Sequence, residues 1–169
     1  MKKIYLQKIP TGCFLQLKLS KFSQLKSRIK KNEGYSNQTY YDQVGKLTIG
    51  FGHLIKKREK FLHQKKYSKK YLNKIFENDF SSALSDFNKS YKTKDLSKNS
   101  QEVLLEMIFQ LGIKNCLKFK KFNQSLRKKL PHMAALEMLN SRWYAQTPKR
   151  VEKLIDLLLE QKNVKQRRQ

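Results

Sequence analysis

The chain is short of nearly everything that announces a disulfide framework, a metal cage or a membrane span. Its 169 residues carry two cysteines, Cys13 and Cys116, far apart and in no CxxC or Cys/His cluster. They read as free thiols in a reducing compartment, with room for one bridge at most. His63 and His132 follow no metal-ligand spacing, so neither a metal nor any other cofactor is expected. No run of about 18 apolar residues exists to cross a bilayer as a helix. Gln7, Lys8, Gln16, Lys18 and Lys21 interrupt the N-terminus before the apolar stretch of a signal peptide can form. Glycine and proline are scarce as well, at six and three residues. With no repeat and no linker, the chain reads as a single domain over 23–169, preceded by an extension, 1–22, of unknown role.

Acidic residues are the most telling shortage. Thirteen Asp and Glu face 38 Lys and Arg, a net charge of +25. Self-repulsion of that size is tolerable when the charge is spread over the surface or neutralised by a polyanion. Nucleic acid, anionic lipid and the anionic polymers of a bacterial envelope all qualify, and charge alone does not choose among them. A lysine-rich proteome would produce the same bias without any functional purpose.

An apolar content of 38% with 11% aromatics supplies a core. Four of the six glycines, Gly34, Gly45, Gly50 and Gly52, fall in EGYSNQTYYDQVGKLTIGFGH (33–53), the only stretch that reads as β. Tyr40 and Tyr41 precede a turn at 42–45, and Leu47, Thr48, Ile49 and Phe51 follow it, which predicts a hairpin. Before it, Leu25 and Ile29 predict a short helix opened by Ser23. After a basic loop (55–67), Ser68 should cap a long helix to about 88, with one apolar stripe at spacings of three and four. Ser97 should cap a nearly all-apolar helix ended by Gly112, the centre of the core. Shorter helices are expected near 120–129 and 131–140, and Thr147-Pro148 should open a last one over 151–161. The fold class is α+β. A β-containing lobe (about 33–67) is joined by a linking helix (about 68–88) to an all-helical lobe (about 97–161).

Three residues of the β stretch suggest chemistry. Glu33 ends the first helix, Asp42 lies in the approach to the turn, and Thr48 stands on the returning strand. Acid-catalysed glycoside cleavage needs one carboxylic acid to protonate the leaving oxygen and a second carboxylate to activate water or capture the sugar cation. An acid beside apolar surface suits the first role and one in a polar turn the second. Glu33 and Asp42 match those descriptions. A lone Glu and Asp at this separation are nevertheless usually solvated surface groups.

The surrounding string adds a resemblance. EGYSNQTYYDQVGKLTIGFGHLI resembles the catalytic segment of the phage-type lysozymes, glycoside hydrolase family 24. Their pattern is E-G, eight residues between Glu and Asp, five between Asp and Thr, then T-I-G-x-G-H, and every interval holds here. SRWYAQTPKR (141–150), MIFQLG (107–112) and, more loosely, FNQSL (122–126) are similar to later motifs of the family's T-even branch, and IFENDF (75–80) takes the place of the linking helix. The resemblance implies a muramidase, cutting the β-1,4 bond between N-acetylmuramic acid and N-acetylglucosamine with inversion. It implies Glu33 as general acid, with Asp42 and Thr48 handling the water. Arg150 would anchor Glu33, and His53 would pair with Asp79 in a structural role. Leu54, Phe109, Gln110, Ser125 and Arg142 would line the cleft, and Trp143 would belong to the core. The implied partner is bacterial peptidoglycan, with anionic envelope polymers; no specific nucleic acid and no oligomer is expected. A phage enzyme without a signal would wait in the host cytoplasm for a pore.

The chain also departs from the pattern. Only 26 positions separate His53 from Asp79, so a third strand should be shortened or replaced by the KKREK loop. Glu137 stands where the T-even branch has an Asn, and residues 1–22 have no counterpart. The competing expectation is a lysozyme-fold protein that merely binds envelope polyanions or nucleic acid through its charge.

Overall fold

The computed structural model describes residues 22–42 and 45–160; the N-terminal extension, Cys13 and the end of the chain lie outside them. The first helix, α1 (Ser23–Glu33), buries Leu25 and Ile29. Ser23 is its first helical residue and not its cap. Phe22 holds the cap position with no side-chain hydrogen bond, and its ring packs on Phe80 at 5.9 Å. An apolar anchor has replaced the polar one.

Gly34 ends α1 at φ 74°, and an antiparallel sheet follows in the order β1 (Ser36–Tyr41), β2 (Leu47–Gly50), β3 (His53–Leu54). Tyr40 pairs with Thr48 and Tyr41 with Leu47, after an irregularity between Ser36 and Tyr40. Only two residues remain of β3, against β2 through Thr48–Leu54 and Ile49–His53. Strand β2 is the buried strand, with Thr48, Ile49 and Gly50 all inside.

Helix α2 (Lys69–Ser90) is capped by Ser68, whose hydroxyl oxygen accepts the Tyr71 N–H. Its stripe of Leu72, Phe76, Phe80, Ala83 and Phe87 is buried. Burying each phenylalanine contributes roughly 2 kcal/mol. Helix α3 (Lys98–Leu111) is capped by Ser97 and stopped by Gly112 at φ 76°. It is the core helix, with Val103, Leu104, Leu105 and Met107 at 1% exposure or less.

Five helices complete the described residues: α4 (Ile113–Lys118), α5 (Lys120–Arg127), α6 (Pro131–Leu139), α7 (Arg142–Gln146) and α8 (Pro148–Leu159). Two of them, α4 and α7, are too short to show a stripe in the sequence. Each is held by one buried anchor, Cys116 and Trp143. Burial pushes the Cys116 thiol up to about 12, which leaves it unreactive. Pro148 opens α8 as expected. Thr147 does not cap it with its side chain, because that hydroxyl donates back to the Trp143 carbonyl at 3.2 Å.

The molecule is α+β: a small antiparallel sheet near the N-terminus, a long helix, and a helical body around α3. Among the described residues no helix is long and apolar enough to cross a membrane.

Candidate active site

Glu33 is the last residue of α1, and the turn between β2 and β3 passes directly over its side chain. A Cβ placed on Gly52 would lie 3.0 Å from Glu33 Oε2 and 3.4 Å from its Cβ, and Gly52 has φ 76°. Only glycine supplies that left-handed backbone without strain, and only glycine leaves room for the carboxylate. On its other side, Glu33 Oε1 accepts from Arg150 Nη2 at 2.8 Å. The carboxylate is therefore clamped between the first turn of α8 and the glycine-rich turn.

Asp42 follows β1 directly. One of its carboxylate oxygens accepts the Lys46 N–H at 2.7 Å, and its own N–H donates to the Lys46 carbonyl at 2.9 Å. This side-chain-to-backbone turn closes the hairpin. Thr48 is buried, and its hydroxyl donates to the Lys46 carbonyl at 3.0 Å. Tyr40 is paired with Thr48 across the strands. Burial raises its phenol above the ordinary value, and the negative charges of Glu33 and Asp42 raise it further. A side chain on the face shared with Thr48 thus lies within the fields of both acids.

Phe109 is half-buried against Phe76 at 5.4 Å, and Phe76 meets Phe51 at 5.7 Å. These rings run from α3 to the residue beside Gly52. Gln110 Oε1 accepts the Trp143 indole N–H at 2.9 Å, which fixes the amide, and Trp143 is a core residue at 3% exposure. Leu54 is exposed beside Thr48. Ser125 on α5 is half-buried and Arg142 opens α7 exposed. Among the described residues no hydrogen bond or ion pair joins either to the Glu33–Arg150 cluster.

His53 Nδ1 lies 2.7 Å from Asp79 Oδ2, tying β3 to α2. Its other nitrogen meets Glu59 at 3.1 Å. The hydrogen bond to Asp79 raises the imidazole above its usual value, opposed by burial and assisted by both carboxylate charges. For Glu59 burial acts upward, but the Lys56 N–H and His53 outweigh it, and the carboxyl ends below its ordinary value.

The sequence reading missed Tyr40, Glu59 and, above all, Glu106. Helix α3 looked almost wholly apolar, yet its Glu106 is fully buried and ion-paired to Arg28 and Arg150. The available signal was a single acidic residue inside an apolar run in a chain poor in acids. Among the described residues no cluster of His, Cys, Asp and Glu could hold a metal ion.

Comparison with known proteins identifies the family. The sequence profile of the family described as phage lysozyme matches residues 30–161. Two proteins of Dictyostelium discoideum are similar to the chain. The probable T4-type lysozyme 2 is 33% identical, over 80% of this chain and 93% of that protein. The probable T4-type lysozyme 1 is 30% identical, over 80% and 94% respectively.

Proposed function

The chain belongs to the phage lysozyme family, and from that premise we propose that it is a peptidoglycan hydrolase, a muramidase. It cleaves the β-1,4 bond between N-acetylmuramic acid and N-acetylglucosamine, acting as a monomer. Glu33 is the general acid that protonates the glycosidic oxygen. Asp42, with Thr48 beside it, orients and activates the water that attacks the opposite face of the sugar, giving inversion. Leu54, Phe109, Gln110, Ser125 and Arg142 contribute to the glycan cleft.

The observation that carries this reading is the clamp on Glu33. A proton donor must keep one geometry through the reaction. Here a carboxylate at a helix end is held by Arg150 from α8 on one side and by the backbone at Gly52 on the other. For the second role, Asp42 is held by the Lys46 N–H at 2.7 Å in the same hairpin as the buried Thr48.

The test is mass analysis of muropeptides released from a cell-wall suspension by the wild-type protein and by Glu33→Gln. Muramidase action leaves reducing N-acetylmuramic acid ends. The variant should lose about a thousandfold in rate, the middle of the range for a positioned acid. Equal clearing by both proteins would instead identify disruption by positive charge alone and sink the proposal.

A further inference from the structure

The core helix α3 carries one charged side chain for which packing gives no reason. Glu106 is 0% exposed, and burying a carboxylate costs several kcal/mol unless its oxygens are fully served. Three donors from two other helices serve it. Arg28 Nε and Asn32 Nδ2 reach it from α1, each at 2.8 Å, and Arg150 Nε from α8 at 3.3 Å. Arg28 extends further to Glu102, at 3.4 Å. The guanidinium of Arg150 is thereby shared, its Nε on Glu106 and its Nη2 on Glu33.

Two consequences follow from elementary chemistry. A guanidinium held at one nitrogen can swing about its last torsions, whereas one held at Nε as well is a fixed planar fork. A cation beside an acid also favours the ionised form, which works against a proton donor. A second carboxylate on the same cation offsets that field. We infer that Glu106 is a positioning residue for the reaction at Glu33: buried beyond reach of substrate, it fixes the plane of Arg150 and takes up part of its charge. Arg150 then orients the Glu33 carboxyl without locking it as an anion. This inference rests on the reading of Glu33 as the acid.

The experiment uses the full chain and soluble, uncrosslinked peptidoglycan strands, with initial rates read as new reducing ends. Wild type, Glu33→Gln, Glu106→Gln, Glu106→Asp and the transposed pair Asn32→Asp/Glu106→Gln are compared. Glu106→Gln should leave KM within about twofold and lower kcat about ten- to a hundredfold, the scale set by a misplacement of under an ångström to one ångström. The transposed pair moves the carboxylate across the 2.8 Å hydrogen bond to α1 and should recover most of that kcat. If Glu106→Gln fails to fold, Glu106→Asp decides. Its shortened side chain should release the longest contact, that to Arg150, and lower kcat at unchanged KM. Wild-type kcat in the folded Glu106 variants would overturn the inference, as would a loss that appears in KM alone. So would a transposed pair that melts like wild type yet recovers nothing. Activity retained by Glu33→Gln would overturn the hydrolase reading itself, whatever the Glu106 variants do.

Discussion

Replacing Gly52 by alanine isolates the position of one carboxylate from the stability of the fold. The new Cβ would sit 3.0 Å from Glu33 Oε2, and ordinary contact begins at 3.4 Å. Either the turn or the carboxylate must give by about 0.4 Å. The same residue must also hold φ 76°, a conformation that costs an L-residue about 1–3 kcal/mol. Gly112 supplies the control. It has the same φ, 76°, and nothing within 4 Å of an added Cβ, and it ends α3 two residues beyond Gln110. Gly112→Ala should therefore lose stability of the same order, about 1–3 kcal/mol, without pressing on the Glu33 carboxylate. We expect both variants to shift to lower urea midpoints, and Gly52→Ala alone to lose about tenfold in the initial rate of wall clearing. Wild-type rate in Gly52→Ala would show that the Glu33 carboxylate need not stay against the turn. Equal rate loss in both would show that the activity reports only stability. Either result refutes the reasoning.

The remaining predictions concern pH and salt. His53 has its folded value raised above 6.5, so its pairing stabilises fully below that pH and is lost as pH rises through the raised value. Glu59 has its folded value lowered below 4.5, so its share is present above that pH and lost as pH falls. The stability difference between wild type and His53→Asn should accordingly be largest at about pH 5.5, about 1.5–3 kcal/mol, and clearly smaller at about pH 9.5. Urea titrations at the two pH values check this, and a pH-independent difference refutes it. The net charge of +25 should make clearing of anionic walls fall about tenfold between roughly 0.05 and 0.5 M salt, with far less change on short soluble strands. An indifferent response on walls would remove the proposed use of the charge.

Most of the fold was legible because its signals are local. Ser68 and Ser97 stand before apolar stripes and cap helices as their chemistry dictates, and the glycines of 33–53 mark the only sheet among the described residues. The failures have equally definite causes. Ser23 and Thr147 have the composition of caps, but Phe22 found an aromatic partner and the Thr147 hydroxyl turned back to Trp143. Helices α4 and α7 are shorter than the window in which periodicity becomes visible. At the site, spacing placed Glu33 at a helix end, and the family motif suggested its pairing with Arg150. Nothing local announced Arg28 or Tyr40, and Glu106 stood out only as a lone acid inside an apolar run. Their meaning lies in contacts between residues up to 78 positions apart, which no periodicity or spacing encodes.

The distribution of the scarce acids suggests how such a basic chain can keep a working site. Among the described residues, the ion pairs include six of the thirteen acids: Glu33, Glu59, Glu77, Asp79, Glu102 and Glu106. They join α1 to α2 (Glu77), β3 to α2 and the following loop (Asp79, Glu59), and α1, α3 and α8 to one another (Glu33, Glu102, Glu106). Within this cluster, Arg28 and Arg150 face Glu33, Glu102 and Glu106, so positive charge is matched locally at Glu33. Lysines outside this junction act on the site only through solvent, where charges are screened within about 10 Å at 0.1 M salt. Surface charge can then rise, speeding encounter with an anionic wall, while the field at Glu33 is set by its immediate neighbours. Arg28 and Glu106 belong to that inner set.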